Sequence, residues 1–411
     1  YGALEYYSIE MPVTPGTLLR GGVLFIAVYM VLSHHKWVGS QLLIWLVLLT
    51  ISIVPSLVIG TIYGQSLLFE IQGLSKALYL PFVTAMLVVL IRRYDIKQEE
   101  VLCYIEYAAY MLGISLFLSQ AFGIQKDTYG DYAYGRKGIF HAQNDITLAF
   151  GLGLLAAGYR LVLVRFSWIR LMLLGMSVLA CLQIGTRASL AVVAAMALVT
   201  VVCVLWGKVP AKSHGTLENL RRWALGFILL AMASGMLLQG LGKQQEFYFQ
   251  QKKLESIAEG TLPRQPLITA GESHISKRSE WFNIAGEGRD AFQRGVAQHF
   301  LTDKKRRLVE VDWMDFYGAY GIGFTILIHA FVLWPFLVSA WCFIVRRNAV
   351  YGLIASVSLL YLGYATFVGH ALTSPIPSTL MAGYLAIFYN VYTRKQSLAK
   401  FRSTQATVSS V

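Results

Sequence analysis

Three charged residues have the types and positions needed to hold a phosphate and to activate a hydroxyl group. Arg187 lies between two apolar runs with almost no loop, in the stretch 183–189. An arginine at a membrane boundary is costly unless it is paired or faces a watery cavity, and its planar fork suits phosphate. Arg278 and Glu310 lie in one long polar stretch. The alternatives are that Arg187 reaches to lipid headgroups and that Arg278 is an ordinary loop arginine.

Glu310 follows a strongly basic run that contains Arg306 and Arg307, and it precedes an apolar helix. A carboxylate close to arginines can take a proton as a general base. The alternative role is helix capping, because acidic residues near a helix N-terminus stabilise the helix. Asp312 and Asp315 compete with Glu310 for the capping role.

Two further polar sites lie at predicted helix ends. Arg136 and Lys137 precede Asn144 in a glycine-bearing segment that suits contact with a sugar or phosphate, or else forms a plain loop and helix cap. His370 follows Gly369, and a lone histidine is more often a hydrogen-bonded structural residue. The sequence has no metal-ligand spacing, phosphate-binding loop or nucleophile triad, so we expect neither a metal nor a cofactor.

The elements that position these residues are predicted to be membrane helices. The 411-residue chain is 56% hydrophobic and 14% charged, whereas soluble domains are about 25% charged. Apolar runs long enough to cross a bilayer recur along the chain, and such runs must be helical because lipid cannot satisfy the backbone. About eleven are predicted, at 16–33, 40–63, 74–91, 103–122, 144–164, 168–184, 188–206, 223–242, 314–345, 350–369 and 376–392.

Basic residues alternate between the connections, which predicts the orientation. One set of connections carries seventeen Lys and Arg residues and the other set, without the long loop, carries six. The positive-inside rule places the richer set in the cytoplasm. The connections at 125–144, at Arg187, at 243–312 and at 370–377 therefore share the outer face. Topology explains the net charge of +13, so we expect no nucleic-acid partner.

The predicted organisation is an all-α integral membrane protein with four parts. These are an N-terminal helix bundle at 1–242, an extracytoplasmic loop at 243–312, C-terminal helices at 313–395 and a disordered cytoplasmic tail at 396–411. The loop holds twelve of the 35 Lys and Arg residues. We predict helical character at 244–258 and an amphipathic segment on the membrane surface at 279–300. The first residue is Tyr1, so we expect N-terminal trimming and a twelfth helix in the full chain.

Four short motifs occur in an order that resembles a known superfamily. The segment 136–144 is similar to R-x-G-x-F-x-N-P-N, except at Ala142 and Gln143, and the segment 185–189 is similar to a T-x-S-R-G turn. Arg278 with Trp281 resembles R-x-x-x-W, offset by one, and the segment 316–323 resembles L-x-x-x-G-x-x-G. Together they resemble the bacterial O-antigen polymerase and O-antigen ligase superfamily, which are membrane glycosyltransferases of the GT-C type.

The resemblance implies a site and a reaction. In ligases of this superfamily a histidine occupies the position of Glu310, and an acid there looks more like the polymerase branch. The implied substrates are two undecaprenyl-pyrophosphate-linked oligosaccharides, a donor and an acceptor, joined with inversion at the periplasmic face of the inner membrane. Arg187 and Arg278 would hold the leaving pyrophosphate, and Glu310 would act on the acceptor hydroxyl. The implied substrate-binding residues are Arg136, Lys137, Asn144, Arg306, Arg307, Asp312, Asp315 and His370.

Membrane lipids and a chain-length regulator protein are the further partners that the polymerase reading implies. A ligase that transfers glycan to lipid A-core or to protein is the first alternative. A flippase or transporter is the second, and it is disfavoured because the predicted mid-span positions carry almost no charge and the chain shows no duplicated half.

Overall fold

The computed structural model describes residues 15–63, 65–124, 126–129, 134–140, 142–164, 166–206, 264–300 and 305–408. The predicted span at 223–242 and the predicted helical segment at 244–258 lie outside these residues. In the first half the elements are α1 (Pro15–Ser33), α2 (His35–Val38), α3 (Ser40–Ile62), α4 (Leu67–Ala77), α5 (Tyr79–Arg93), α6 (Gln98–Ala121), β1 (Lys126–Tyr129), β2 (Tyr134–Gly138), α7 (Gln143–Tyr159), α8 (Trp168–Gln183) and α9 (Arg187–Trp206). In the second half they are α10 (Gln265–Lys277), α11 (Trp281–Ala285), α12 (Arg289–His299), α13 (Asp312–Arg346), α14 (Ala349–Phe367) and α15 (Pro375–Val408).

The protein is a multi-pass membrane protein. Among the described residues six helices are long and apolar enough to cross a bilayer: α1, α3, α6, α7 with its π-helical extension to Val164, α13 and α14. A seventh span results if α4 and α5, which meet at an angle of 50°, count as one broken span. The two apolar runs at 168–184 and 188–206 form shorter helices. The predicted number of about eleven spans is therefore not reached within the described residues.

The predicted span at 74–91 is broken into α4 and α5. The polar residues of α4 make contacts within the protein. Glu70 is buried and accepts the backbone N–H groups of Arg289 and Asp290, at 3.0 and 2.7 Å. The first half of α4 is thus tied to the start of α12, and its last turn carries Lys76.

The connection between α6 and α7 departs from the predicted all-α fold. Strands β1 and β2 form an antiparallel hairpin, with Lys126 opposite Gly138 and Tyr129 opposite Tyr134. The hairpin packs on the turn before α9, where the Thr128 hydroxyl donates to the carbonyl oxygen of Ile184 at 2.8 Å. Arg136 and Lys137 therefore lie on a strand and not in a helix-capping loop.

The described part of the large outer loop is a helical layer with a small core of its own. This core consists of Leu267, Ala270, Phe292, Val296, Val309, Val311 and Met314. The apolar face of α12 thus packs on protein. The prediction that 279–300 lies on the membrane surface is therefore wrong for α12. Trp281 and Ile284 on α11 remain exposed.

The helix α13 joins this layer to the main helical core. It bends at Gly321, whose φ is 79°, and only glycine fits there, because the backbone of Ile284 and Gly286 lies where a side chain would be. The last helix, α15, continues to Val408. Most of the tail that was predicted to be disordered is therefore helical.

Candidate active site

A small cavity lies where α4, α12, α13 and the connection after α14 meet. Its volume is about 50 Å³. Its lining is Gly73, Lys76, Arg289, Phe292, Gln293, Leu308, Asp315, Phe316, Ala319, Tyr320, His370 and Thr373. Two cations, one carboxylate, one imidazole and one phenol in so small a space make this cavity the candidate site.

The position of Arg289 in this cavity is set by α4. The ring of Phe69 lies between two guanidinium groups, with the Arg289 and Arg306 carbons 4.5 and 4.4 Å from its centroid. Glu70 accepts the N–H groups of Arg289 and Asp290 and so caps the N-terminus of α12. A negative charge is stabilising at that end of a helix. Position 73 must be glycine, because a Cβ there would lie 2.6 Å from the Arg289 Cδ.

The cations of the cavity lie near carboxylates such as Asp315 but form no close ion pair in the part of the chain that the structure describes. Within the described ranges, no carboxylate lies within the 4.0 Å of an ion pair from the side-chain nitrogens of Lys76 or Arg289. Arg20 on α1 lies within electrostatic reach of Lys76, and its buried Nε has no hydrogen-bond partner among the described residues. Cations without a close ion pair at a buried site favour binding of an anion.

Two residues beside the cavity have a left-handed backbone, Glu310 with φ of 67° and His370 with φ of 64°. Such a conformation costs about 1–3 kcal/mol in a residue that is not glycine. Their backbones touch through Gly369, whose φ is 74° and where a Cβ would overlap the carbonyl oxygen of Glu310. Strain of this kind persists where the surrounding structure holds it in place.

Asp312 and Asp315 hold these two strained segments. The Asp312 carboxylate accepts the N–H groups of His370 and Leu372 at 2.7 and 2.8 Å. The Asp315 carboxylate accepts the N–H groups of Val309 and Glu310 at 3.0 and 3.1 Å. Both aspartates are buried and bind backbone N–H groups outside α13, and Asp315 also lines the cavity.

Glu310 and His370 differ in their surroundings. The Glu310 side chain is 35% exposed, with Oε2 3.5 Å from Arg264 and Oε1 4.0 Å from Arg307. The His370 side chain lines the cavity, and burial lowers its pKa to about 4. The carboxylate of Glu310 opposes this shift in pKa, while the positive charges of Arg264, Lys76 and Arg289 add to it. The imidazole is therefore neutral near pH 7.

Arg278 lies away from the cavity lining and is fully engaged with protein. Its guanidinium donates to Asn283 Oδ1 at 3.0 and 3.1 Å, to Glu287 Oε1 at 3.0 Å and to the carbonyl oxygen of Gly318 at 3.0 Å. It also lies over the ring of Tyr317, 5.2 Å from the centroid, and only 3% of the side chain is exposed. These contacts fasten α11 to α13.

Arg306 and Arg307 lie at the edge of the same layer. Arg306 donates to Asp290 Oδ1 at 2.5 Å and 40% of its side chain is exposed. The Arg307 guanidinium lies 5.4 Å from the centroid of the Phe300 ring. Burial raises the pKa of Asp290, but hydrogen bonds from Arg306 and from the Ser66 N–H outweigh it, and the net pKa lies below its usual range.

The other predicted site residues lie on neighbouring outer-face connections. Arg187 begins α9, and its side chain lies outside the described part of the protein. The carbonyl oxygen of Asn144 accepts the Tyr364 hydroxyl at 2.9 Å. Beside it, Asp145 accepts the Ser374 hydroxyl at 2.6 Å, which joins the start of α7 to the connection that holds His370. Arg136 and Lys137 are not among the cavity-lining residues.

The sequence interpretation missed Lys76 and Arg289 as site residues. Lys76 was visible as an ionisable residue inside an apolar run, which is a functional signal in a membrane protein. Arg289 follows two glycines in the polar loop, and nothing local distinguished it from its basic neighbours. Within the described ranges, no three His, Cys, Asp or Glu side chains lie together as a metal site would require.

Comparison with known proteins identifies the family. Residues 2–253 match the family model described as O-antigen ligase like membrane protein, which is more than half of the chain. No curated protein and no solved structure matched the chain. The matched region contains Lys76 and Arg187, whereas Arg289, Glu310 and His370 lie beyond it. The chain therefore belongs to the family of O-antigen ligase-like membrane proteins.

Proposed function

We propose that the protein is a polysaccharide polymerase that joins undecaprenyl-pyrophosphate-linked repeat units at the periplasmic face of the inner membrane. The observation that carries this proposal is the pair of basic side chains, Lys76 and Arg289, that line one cavity together with His370 and Asp315. Membership of the O-antigen ligase-like family supports glycosyl transfer as the reaction class. No cofactor is needed to drive the transfer, because the donor is already activated by its pyrophosphate.

The leaving group is where fixed positive charge is needed. When the bond from the anomeric carbon to the lipid pyrophosphate breaks, negative charge develops on the departing oxygen. Fixed cations in a site that excludes water stabilise such charge most strongly. Lys76 and Arg289 are our first candidates for this role, and Arg187 stays a prediction. Arg278 contributes indirectly in this scheme, because it holds α11 in place against α13.

The size of the cavity indicates which part of the substrate it takes. Its volume of about 50 Å³ is well below the roughly 300–1,000 Å³ of a typical small-molecule pocket. It suits a phosphate group and is too small for an oligosaccharide. The sugars would lie outside it, where the exposed cations Arg136 and Arg306 are available to acidic sugars or carrier phosphates.

Polymerase is favoured over ligase by the residue at position 310. The ligases that the sequence resembles carry a histidine there, whereas this chain has Glu310. The two activities differ in the acceptor, which is a second lipid-linked repeat unit for a polymerase and lipid A-core or a protein for a ligase. A chain-length regulator is a further proposed partner of a polymerase.

The test is reconstitution of the purified protein with lipid-linked repeat units as both donor and acceptor. Formation of lipid-linked polymer supports a polymerase and excludes a transporter. Transfer only to added lipid A-core supports the ligase alternative. In cells, a deletion strain that displays a single repeat unit on its surface anchor indicates a polymerase, and one that displays none indicates a ligase or a flippase.

A further inference from the structure

We propose that His370 is the catalytic base of this transfer and that Glu310 is the carboxylate that stabilises its protonated ring. The proposal rests on the proposed function, and it assigns the proton-accepting step to a different residue from the one the sequence suggested. Glu310 keeps a role in the reaction, but it acts through the imidazole.

The backbone geometry is the first line of support. Within the described residues only four non-glycine residues have positive φ, and two of them, Glu310 and His370, are the pair at this cavity. Strained backbone clusters at functional sites, where surrounding contacts fix it. Here the contacts are the two carboxylates of Asp312 and Asp315, which bind the N–H groups of His370 and Glu310 respectively.

The location of the imidazole is the second line of support. His370 lines the cavity together with Lys76 and Arg289, the residues proposed to hold the pyrophosphate. A hydroxyl that attacks the anomeric carbon must approach on the side opposite the leaving group, within hydrogen-bond reach of the base. In this arrangement the pyrophosphate would fill the cavity and the hydroxyl would attack from outside it, so His370 would accept the proton at the edge of the cavity.

The surroundings of Glu310 suit a supporting role. Its two carboxylate oxygens face Arg264 and Arg307, and about a third of its side chain is exposed to solvent. A carboxylate near a histidine can stabilise the protonated ring, as the carboxylate of a hydrolase triad does. The electrostatic coupling between Glu310 and His370 has the sign that this role requires, because the negative charge favours the imidazolium.

The proposed step balances as follows. The acceptor hydroxyl oxygen forms a bond to the anomeric carbon of the donor sugar while the bond from that carbon to the pyrophosphate oxygen breaks. The electron pair of the broken bond leaves with the pyrophosphate, beside Lys76 and Arg289. The hydroxyl proton passes to a ring nitrogen of His370, and the imidazolium returns it to solvent after the products leave.

Binding of the donor would prepare His370 for this step. The charged groups that act on the ring are Lys76 on α4, Arg264 before α10, Arg289 on α12 and Glu310 before α13. Asp312 and Asp315 also lie close by, on α13. The three cations lower the pKa of the free ring, and an anionic pyrophosphate beside Lys76 and Arg289 would cancel much of their effect. The imidazole thus becomes a stronger base when the substrate is present.

The test compares two substitutions at position 370 that the left-handed backbone tolerates. H370N and H370G remove the imidazole without adding strain, since asparagine and glycine both adopt positive φ. We expect both variants to bind undecaprenyl pyrophosphate as the unsubstituted protein does and to polymerise about 10²–10⁴-fold more slowly. Added imidazole should restore part of the rate of H370G. The same substitution at an exposed histidine, H35N, is the matched control and should leave the rate unchanged.

Each outcome decides the question. Unchanged polymerisation by H370N, or a loss of undecaprenyl pyrophosphate binding that matches the loss of rate, would overturn the assignment of His370 as the base. Failure of the unsubstituted protein to make polymer from lipid-linked units would instead overturn the proposed function, and the base assignment with it. Normal binding, slow transfer and rescue by imidazole in H370G would support both.

Discussion

Gly369 packs directly against the carbonyl oxygen of Glu310, and this contact joins the segment before α13 to the segment after α14. A Cβ at position 369 would overlap that oxygen, and the φ of Gly369 is 74°. The contact explains how two residues sixty positions apart come to share one site. It also requires glycine for two independent reasons, the backbone angle and the lack of space.

G369A should therefore separate the two segments. We expect a lower melting temperature and a loss of most polymerisation, because the added methyl group pushes the backbone at position 369 away from the backbone of Glu310. G363A is the matched control, since Gly363 lies in α14 with nothing within 4 Å of the added atom and alanine favours a helix. A G369A protein with unchanged activity and stability would show that this contact does not organise the site.

E310Q and D312N should affect the protein in different ways. E310Q removes the charge beside His370 but no backbone contact of the side chain, so we expect little or no activity with an unchanged melting temperature. D312N weakens the hydrogen bonds to His370 and Leu372, so we expect a stability loss of about 1–3 kcal/mol with part of the activity retained. Thermal unfolding and polymer yield measured on the same preparations separate the two effects. If D312N proves the more damaging to activity, Glu310 is misassigned.

K76M and R289Q should weaken the hold on the pyrophosphate. Each removes one cation from the cavity while keeping much of the side-chain volume, and we expect a fall in the polymerisation rate of about 10²–10³-fold. K277A, at an exposed lysine in the last turn of α10, is the control and should behave as the unsubstituted protein. Rates near normal for both cavity variants would show that the pyrophosphate binds elsewhere, and Arg187 would be the next candidate.

Much of this site could be predicted from the sequence, because the membrane signal and the basic alternation place the polar connections on one face. Glu310, Asp315 and His370 were identified in this way, and the structure brings them together. Lys76 and Arg289 were not, because their importance depends on the break between α4 and α5. The position of α4 is fixed by a tertiary contact, the hydrogen bonds of Glu70 to the start of α12. Local sequence carries little information about such a contact.

The role of Arg278 shows the same limit. Its position near a tryptophan suggested phosphate binding. In the structure it binds the Glu287 carboxylate and the carbonyl oxygen of Gly318, which is forty residues away in the sequence, and only the fold brings these groups together.

R278A should abolish polymer formation by loosening the outer layer. The substitution removes one buried donor from Glu287 and one from the carbonyl oxygen of Gly318, and each such loss costs about 1–3 kcal/mol. We expect faster limited proteolysis of the 264–312 region and a lower melting temperature, with normal membrane insertion. In contrast, R187A should abolish polymer formation without this change in proteolysis. An R278A protein that is inactive but as resistant to proteolysis as the unsubstituted protein would point to direct contact with substrate.

The pH dependence of the reaction should report the pKa of His370 in the free protein and in the substrate complex. A base must be neutral to accept a proton, so activity falls as pH drops through the pKa of the imidazole. Burial and the nearby cations lower this pKa to about 4 in the free protein, and the acid limb that His370 contributes to the profile of kcat/KM should therefore lie near pH 4. Bound pyrophosphate offsets the cations, so the profile of kcat should fall at a higher pH.

In E310Q the carboxylate that raises the pKa of His370 is gone, and the residual activity should show both profiles shifted to lower pH. Identical acid limbs for kcat and kcat/KM, unmoved by E310Q, would mean that neither residue governs the proton transfer.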